Sequence, residues 1–453
     1  MKKSVIITIS VIVGLVVAAG LGVLIWWLVA GRHPNFTTVL LEGEGFRDVQ
    51  QTAAWTRIRG TGDMFWWFYP TTAGAQAARP LILWLDGVTG LSPSLLANFG
   101  MIGPLDFNLN ARNGSWVEDC NVLFVDAPLG TGFSRANGNN DLPQNIDDNT
   151  DHLLYTLESF YSAREDYQDS PLYIFGQGDG APLALALAIR LAKGVSFSHN
   201  LKGVVIGNGV VSPALALTEL GFYLDEMGYV DPAGRVIVKA FSEELSALVD
   251  GGQFEEAFDK FLTLGDFLNE EAGTVAVNLN YIIQKLTRTS TAARDYFGQR
   301  EYLRSALQTD IDFNQFMVQT IAPALGISSP FYDESREAVI RAFRETYMQP
   351  TTELVEYLLN NTEVSVTIYN GNLDAVSTTP GQLKWVNNLQ WAGQAEFRNT
   401  NRRTLIVNSL VEGYFRETDR LAFYWMNAAG ISVPLDSPTA MRRVMQRITG
   451  VNP

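Results

Sequence analysis

Residues 171–180 read PLYIFGQGDG, and the rest of the chain is understood from this stretch outward. Residues 172–175 are a short apolar run of strand type. It breaks at Gly176-Gln177-Gly178-Asp179-Gly180 and leads into an Ala/Leu-rich run of helical type, 181–193. Strand, glycine turn, helix is the arrangement in which G-x-S-x-G lifts a serine hydroxyl above a parallel sheet. Here the middle position is Gly178, which has no side chain to attack with. The stretch therefore predicts the scaffold of a reactive site without its reactive atom.

On either side the pattern alternates between strand and helix. Residues 55–59 and 63–69 read as two strands joined across Gly60-Thr61-Gly62, a hairpin. The runs 80–85, 121–126, 201–207 and 364–370 are almost wholly apolar, as parallel strands buried on both faces are. Helical runs such as 147–163 and 181–193 lie between them, and 437–448 reads as a closing helix. The segment 219–346 differs, with amphipathic stretches at 235–249, 302–307 and 334–347 and little strand character. It reads as a helical cap inserted between two strands. The class is α/β, with a mostly parallel central sheet.

A chain of 453 residues that is 47% apolar has ample material for a core and little for long disorder. Its net charge of −15 argues against nucleic acid, which requires basic surfaces. Cys120 is the only cysteine, so no disulfide forms within the chain. The three histidines, His33, His152 and His199, all lie in the first half. Residues 5–30 are almost unbroken in apolarity, longer than the roughly 20 residues a membrane span needs. They also exceed the apolar region of about 7–15 residues in a cleaved signal peptide. Lys2 and Lys3 precede the run, Arg32 and His33 follow it, and Trp26 and Trp27 sit at interfacial depth. The expectation is a single-pass signal anchor over 4–30, with residues 1–3 cytoplasmic, a tether over 31–52 and the domain 53–453 lumenal or extracellular. Gly14, Ala18 and Gly22 repeat every four residues, as in small-residue faces that pair two spans into a homodimer and as in spans where the repeat is incidental. Sequons at Asn35, Asn113 and Asn360 are candidate glycosylation sites on that side of the membrane.

In chain order, PLILWLDGVTG, FGMIGPLDF, NVLFVDAPLGTGFS, PLYIFGQGDG, GVVIGNGVVSP, VTIYNGNLD and LAFYWMNAAGISVP resemble the successive blocks of the serine carboxypeptidase family. The pattern is nearest its retinoid-inducible branch and runs from about Trp55 to the C-terminus. The resemblance implies an α/β-hydrolase fold with a Ser-Asp-His triad that removes C-terminal residues from peptides. Matched residue by residue, the nucleophile position is Gly178, the acid is Asp374, and the histidine position is Ile431, within Ala429-Gly430-Ile431-Ser432-Val433-Pro434. A serine hydroxyl needs a base within hydrogen-bond reach and the base needs an orienting acid. Two of the three are missing, and no histidine follows His199.

The resemblance also places two oxyanion-hole donors, the backbone N–H groups at Val88 and Asp179. Val88 brings bulk where the family has glycine, and an inward Asp179 carboxylate would repel an oxyanion. The positions that recognise a peptide's terminal carboxylate fall on Asp86 and Gln177, where acid and amide have traded places. A protonated Asp86 would let the pair still hold a carboxylate; otherwise the two are polar residues in an unused pocket. Asp374 has an equally structural reading, as a carboxylate accepting N–H bonds in its own turn. No cofactor fingerprint, phosphate-cradling loop or metal-ligand cluster is present. The sequence thus predicts an inactive family member that binds a peptide C-terminus or a partner protein. The rival is an active hydrolase in which Ser92, Ser94 or Ser134 serves as a displaced nucleophile. A third reading is a structural partner of an active paralogue.

Overall fold

In the strand Gly62–Tyr69 every residue is buried, yet alternate side chains enter different cores. Phe65, Trp67 and Tyr69 point to one side of the sheet, and Met64, Trp66 and Phe68 to the other. The strand Leu81–Leu85 divides likewise, with Ile82 and Trp84 on the first side and Leu81, Leu83 and Leu85 on the second. At about 1.5–3 kcal/mol per fully buried large side chain, these two-faced strands fix the register of the sheet.

The computed structural model describes residues 35–451 apart from 47, 88–90, 275–276, 287–301, 304–305, 308 and 334–335. The expected anchor over 4–30, with Gly14, Ala18 and Gly22, and the oxyanion-hole position Val88 lie outside the described residues. Among the described residues no helix is long and apolar enough to cross a membrane.

The strands are β1 (Phe36–Leu40), β2 (Thr52–Ile58), β3 (Gly62–Tyr69), β4 (Leu81–Leu85), β5 (Asn121–Val125), β6 (Arg135–Ala136), β7 (Pro171–Gln177), β8 (Asn200–Gly207), β9 (Ser365–Gly371), β10 (Arg403–Val407), β11 (Leu410–Glu417) and β12 (Leu421–Met426). They form one 12-stranded sheet in the order β1-β2-β3-β5-β4-β7-β8-β9-β12-β11-β10, with β6 on β3. The centre, from β5 through β12, is parallel. The flanks are antiparallel, so the sheet as a whole is mixed rather than mostly parallel. Two differences from the sequence reading stand at its edges. Residues 36–40, within the stretch read as a tether, pair with β2 as an edge strand. The β10–β11–β12 meander was not anticipated, because Arg403, Arg416 and other charged residues interrupt its apolar pattern.

Helices α1 (Ile146–Ala163) and α2 (Gly180–Lys193) cover one face through Leu153, Leu157, Phe160, Leu183 and Leu187. Asn145 caps α1, its side chain accepting from the Asp148 N–H. The closing helix, Pro438–Thr449, covers the other face with Met441, Val444 and Met445. Among the described residues the inserted helices divide mainly between two cores, while Val339 and Phe343 pack separately on Leu142. The helices from Leu220 to Glu270 enclose their own core around Phe241, Leu245, Phe258 and Leu264. Leu303, Phe313, Met317 and Ile321 instead join the sheet's core. The cap is thereby anchored to the sheet beside the C-terminal ends of the parallel strands, where an α/β sheet carries its site.

Candidate active site

β7 ends at Gln177, Gly178 turns the chain with φ of +56°, and α2 begins at Gly180. The turn is tight because its flanking glycines sit against backbone. A Cβ on Gly180 would stand 1.8 Å from the Asp86 carbonyl oxygen, and one on Gly176 would stand 2.5 Å from the Gly180 oxygen. Gly178 is different. Its N–H donates to the Gly207 carbonyl at 2.9 Å and its carbonyl accepts from Val210 at 2.9 Å, but a Cβ there would meet nothing within 4 Å among the described residues. The elbow leaves room for a side chain that the sequence does not supply.

The other two triad positions are brought to the same end of the sheet. Asp374 follows β9 and Ile431 follows β12, two neighbouring parallel strands. The loops are tied together: the Leu373 N–H donates to the Ala429 carbonyl at 2.8 Å and the Asn372 N–H to that of Met426 at 2.9 Å. The elbow joins them through Gln177, whose Nε2 donates to the Ser432 Oγ at 3.2 Å. The positions that the sequence assigned to a triad therefore converge.

The Asp374 carboxylate is fully buried and occupied. Its Oδ2 accepts from the Asn208 Nδ2 at 2.7 Å and its Oδ1 from the Val376 N–H at 2.8 Å. Burial outweighs these bonds and raises its pKa to about 7. Asn208, which sequence reasoning missed, also accepts from the Gly371 N–H and receives the Ser377 hydroxyl on its carbonyl. Its φ of +46° marks a special turn after β8, and the fold shows which loop it braces. Ile431 is buried, its N–H donating to the Asn280 carbonyl at 2.9 Å. An apolar side chain thus occupies the position that the resemblance assigns to a base.

Asp86 and Gln177 do meet. The Gln177 Nε2 lies 3.1 Å from the Asp86 Oδ1, and the Trp84 indole donates to Oδ2 at 3.1 Å. Both residues are 2% exposed, and burial, reinforced by the nearby Asp179 charge, pushes the Asp86 carboxyl well above the carboxylate range. The Gln177 Oε1 is buried and has no partner. Asp179 lies inward: a Cβ on Gly87 would stand 2.8 Å from its Oδ1, so a negative group borders the oxyanion side of the elbow.

The serines of the rival reading are committed elsewhere. Ser94 donates to Asp126 through both its N–H, at 3.0 Å, and its hydroxyl, at 2.7 Å. Ser92 is shared between Ser94 and the buried Tyr332 hydroxyl. Ser134 accepts from the Phe65 N–H at 2.7 Å and donates to the Asp126 carbonyl. Among the described residues none is hydrogen-bonded to a histidine. His152 lines a separate cavity of about 510 Å³ with Asn35 and Tyr155, and His199 turns to the Leu201 N–H. Asn35, Asn113 and Asn360 are all exposed; the amide nitrogens of Asn35 and Asn360 bond Tyr155 and the Gln390 carbonyl. Among the described residues no three His, Cys, Asp or Glu side chains are grouped as a metal site would require.

The fold agrees with comparisons to known proteins. The family model described as serine carboxypeptidase matches residues 44–450. The retinoid-inducible serine carboxypeptidase of Rattus norvegicus is 30% identical over 413 residues, covering 86% of this chain and 90% of the relative. Serine carboxypeptidase-like 51 of Arabidopsis thaliana is 27% identical over 428 residues, covering 89% and 92%. Among solved structures, the prohormone-processing carboxypeptidase Kex1(delta)p of Saccharomyces cerevisiae superposes with a TM-score of 0.75 at 19% identity, over 91% of this chain and 95% of that one. With a family model spanning most of its length and the strand-end loops of that fold in place, this chain belongs to the serine carboxypeptidase family.

Proposed function

We propose that this chain is a membrane-anchored, non-catalytic serine carboxypeptidase homologue that binds a peptide or a partner protein through its cleft. The observation that carries the reading is the elbow. It presents Gly178 to open space, while Asp374 spends its carboxylate on Asn208 and its own turn rather than on a base. Acyl transfer from this arrangement would lack both attacking oxygen and proton acceptor. Asp179 against Gly87 adds a charge of the wrong sign for an oxyanion. The apolar stretch 4–30 is the proposed anchor, with the domain lumenal or extracellular.

The test is release of C-terminal residues from a peptide library, with labelling by a fluorophosphonate alongside. The parent chain is expected to show neither. The Gly178→Ser, Ile431→His pair is expected to gain labelling, because the elbow has space for the hydroxyl and Ile431 already lies on the loop tied to Asp374. Turnover by the parent that survives Asp374→Ala would overturn the reading. For the anchor, a chain that leaves membranes on an alkaline carbonate wash would not be a spanning protein.

A further inference from the structure

Away from the elbow, at the β11–β12 end of the sheet, two guanidinium groups are packed on one aromatic ring. The register pairs Tyr414 with Trp425, and Arg416 shares the Tyr414 face of β11 two residues on. The Arg402 guanidinium lies 4.0 Å from the Tyr414 ring centre and 5.7 Å from that of Trp425. The Arg416 guanidinium lies 5.8 Å from Trp425 and 5.5 Å from Phe397, on the short helix Gln394–Asn399. Among the described residues neither arginine forms an ion pair, although the chain carries a net charge of −15. Their neighbours do: Arg403 and Arg447 share Glu417, and Arg420 pairs with Glu363. The Arg416 Nε is buried without a hydrogen-bond partner. Burial and the neighbouring Arg402 charge both lower the proton affinity of Arg416. Ring stacking holds the two cations in place but leaves in-plane N–H donors unused.

We propose that Arg402 and Arg416, packed on Trp425, form a binding site for a tetrahedral oxyanion, a phosphate or sulfate group. A carboxylate offers two oxygens in one plane, whereas a tetrahedral centre carries three or four oxygens in different directions and can meet two guanidinium forks at once. Such a ligand accepts from the unused guanidinium N–H groups and removes the repulsion between the two cations.

The full-length protein is titrated with inorganic phosphate and inorganic sulfate by calorimetry and tryptophan fluorescence, with sodium chloride at matched ionic strength as the control. Phenyl phosphate and phenyl sulfate then tell a phosphate ester from a sulfate ester. Saturable binding is expected, at least tenfold weaker in Arg416→Gln and in Arg402→Gln and absent from the double variant. Arg402 is exposed, so its variant keeps the test sound even if Arg416→Gln disturbs the packing on Phe397. A response that chloride reproduces, no saturation with any of the four anions, or equal affinity in the double variant would overturn the proposal.

Discussion

Replacing Asp374 by Asn should reverse sign between acid and neutral pH. In the folded chain the carboxyl titrates near 7, while an unfolded aspartate titrates near 3.9. A folded pKa above the unfolded one means that the native state holds the proton more tightly. Its stabilising contribution is fully present below about pH 4 and is lost as pH rises through about 7. Three units at about 1.36 kcal/mol each give about 4 kcal/mol across that window. Asparagine does not titrate, so the variant escapes this loss. At pH 4.5 it should be less stable than wild type by about 1 kcal/mol, because its amide meets the Asn208 Nδ2 as a second donor. By pH 8 the difference should favour the variant by a few kcal/mol. Urea midpoints and slopes for both chains at pH 4.5, 6, 7 and 8 measure this directly. Asp126, which titrates near 7, and Asp86 are present in both chains and cancel in the difference. Parallel curves, or a wild type that gains on the variant as pH rises, would refute the assignment of a buried, unpaired acid.

Gly180→Ala should cost about 3 kcal/mol, since its Cβ would fall 1.8 Å from the Asp86 carbonyl and force α2 from the β4 loop. Gly178→Ala should cost only about 1 kcal/mol, the penalty of a left-handed backbone in open space; equal urea midpoints for the two variants would contradict the elbow geometry. Peptides with free C-termini should bind the parent better than their amidated forms, and Asp86→Ala should abolish that preference in calorimetry. Equal affinity for both forms would leave Asp86 and Gln177 as a structural hydrogen bond.

The parallel strands were legible because burial on both faces leaves an apolar run that few other structures produce, as in β4 with its five buried residues. The elbow was legible because three glycines in five residues, between a strand and a helix, answer to steric demands that the structure puts at Gly176 and Gly180. What escaped was non-local. Asn208 and Ser432 sit in the family-like stretches 203–213 and 421–434, yet their partners, Asp374 and Gln177, are 166 and 255 residues away in the chain. The β10–β11–β12 meander escaped because its outer faces are lined by arginine and tyrosine instead of a clean alternation. The Asp86 and Gln177 exchange was visible as letters, but its consequence, a carboxyl of raised proton affinity hydrogen-bonded to an amide, depends on burial that only packing supplies.

The buried acid bears on the proposed loss of the triad. In an active triad the aspartate is held ionised by the imidazole it orients. Without that partner a fully buried carboxylate is costly, and the chain lowers the cost by protonation near neutral pH and by the bonds from Asn208 and Val376. Those bonds also lace the ends of β8 and β9 together, through the Asn208 contacts to Gly371 and Ser377. Gly178 and Ile431 make no comparable side-chain bonds: one has no side chain, and the other has a buried apolar side chain that forms no hydrogen bond across the loops. The acid therefore has a structural reason to persist that the nucleophile and the base lack. Restoring histidine at Ile431 should lower the Asp374 pKa from its value near 7 toward the ordinary carboxylate range, and an unchanged titration would show that the two loops no longer face each other.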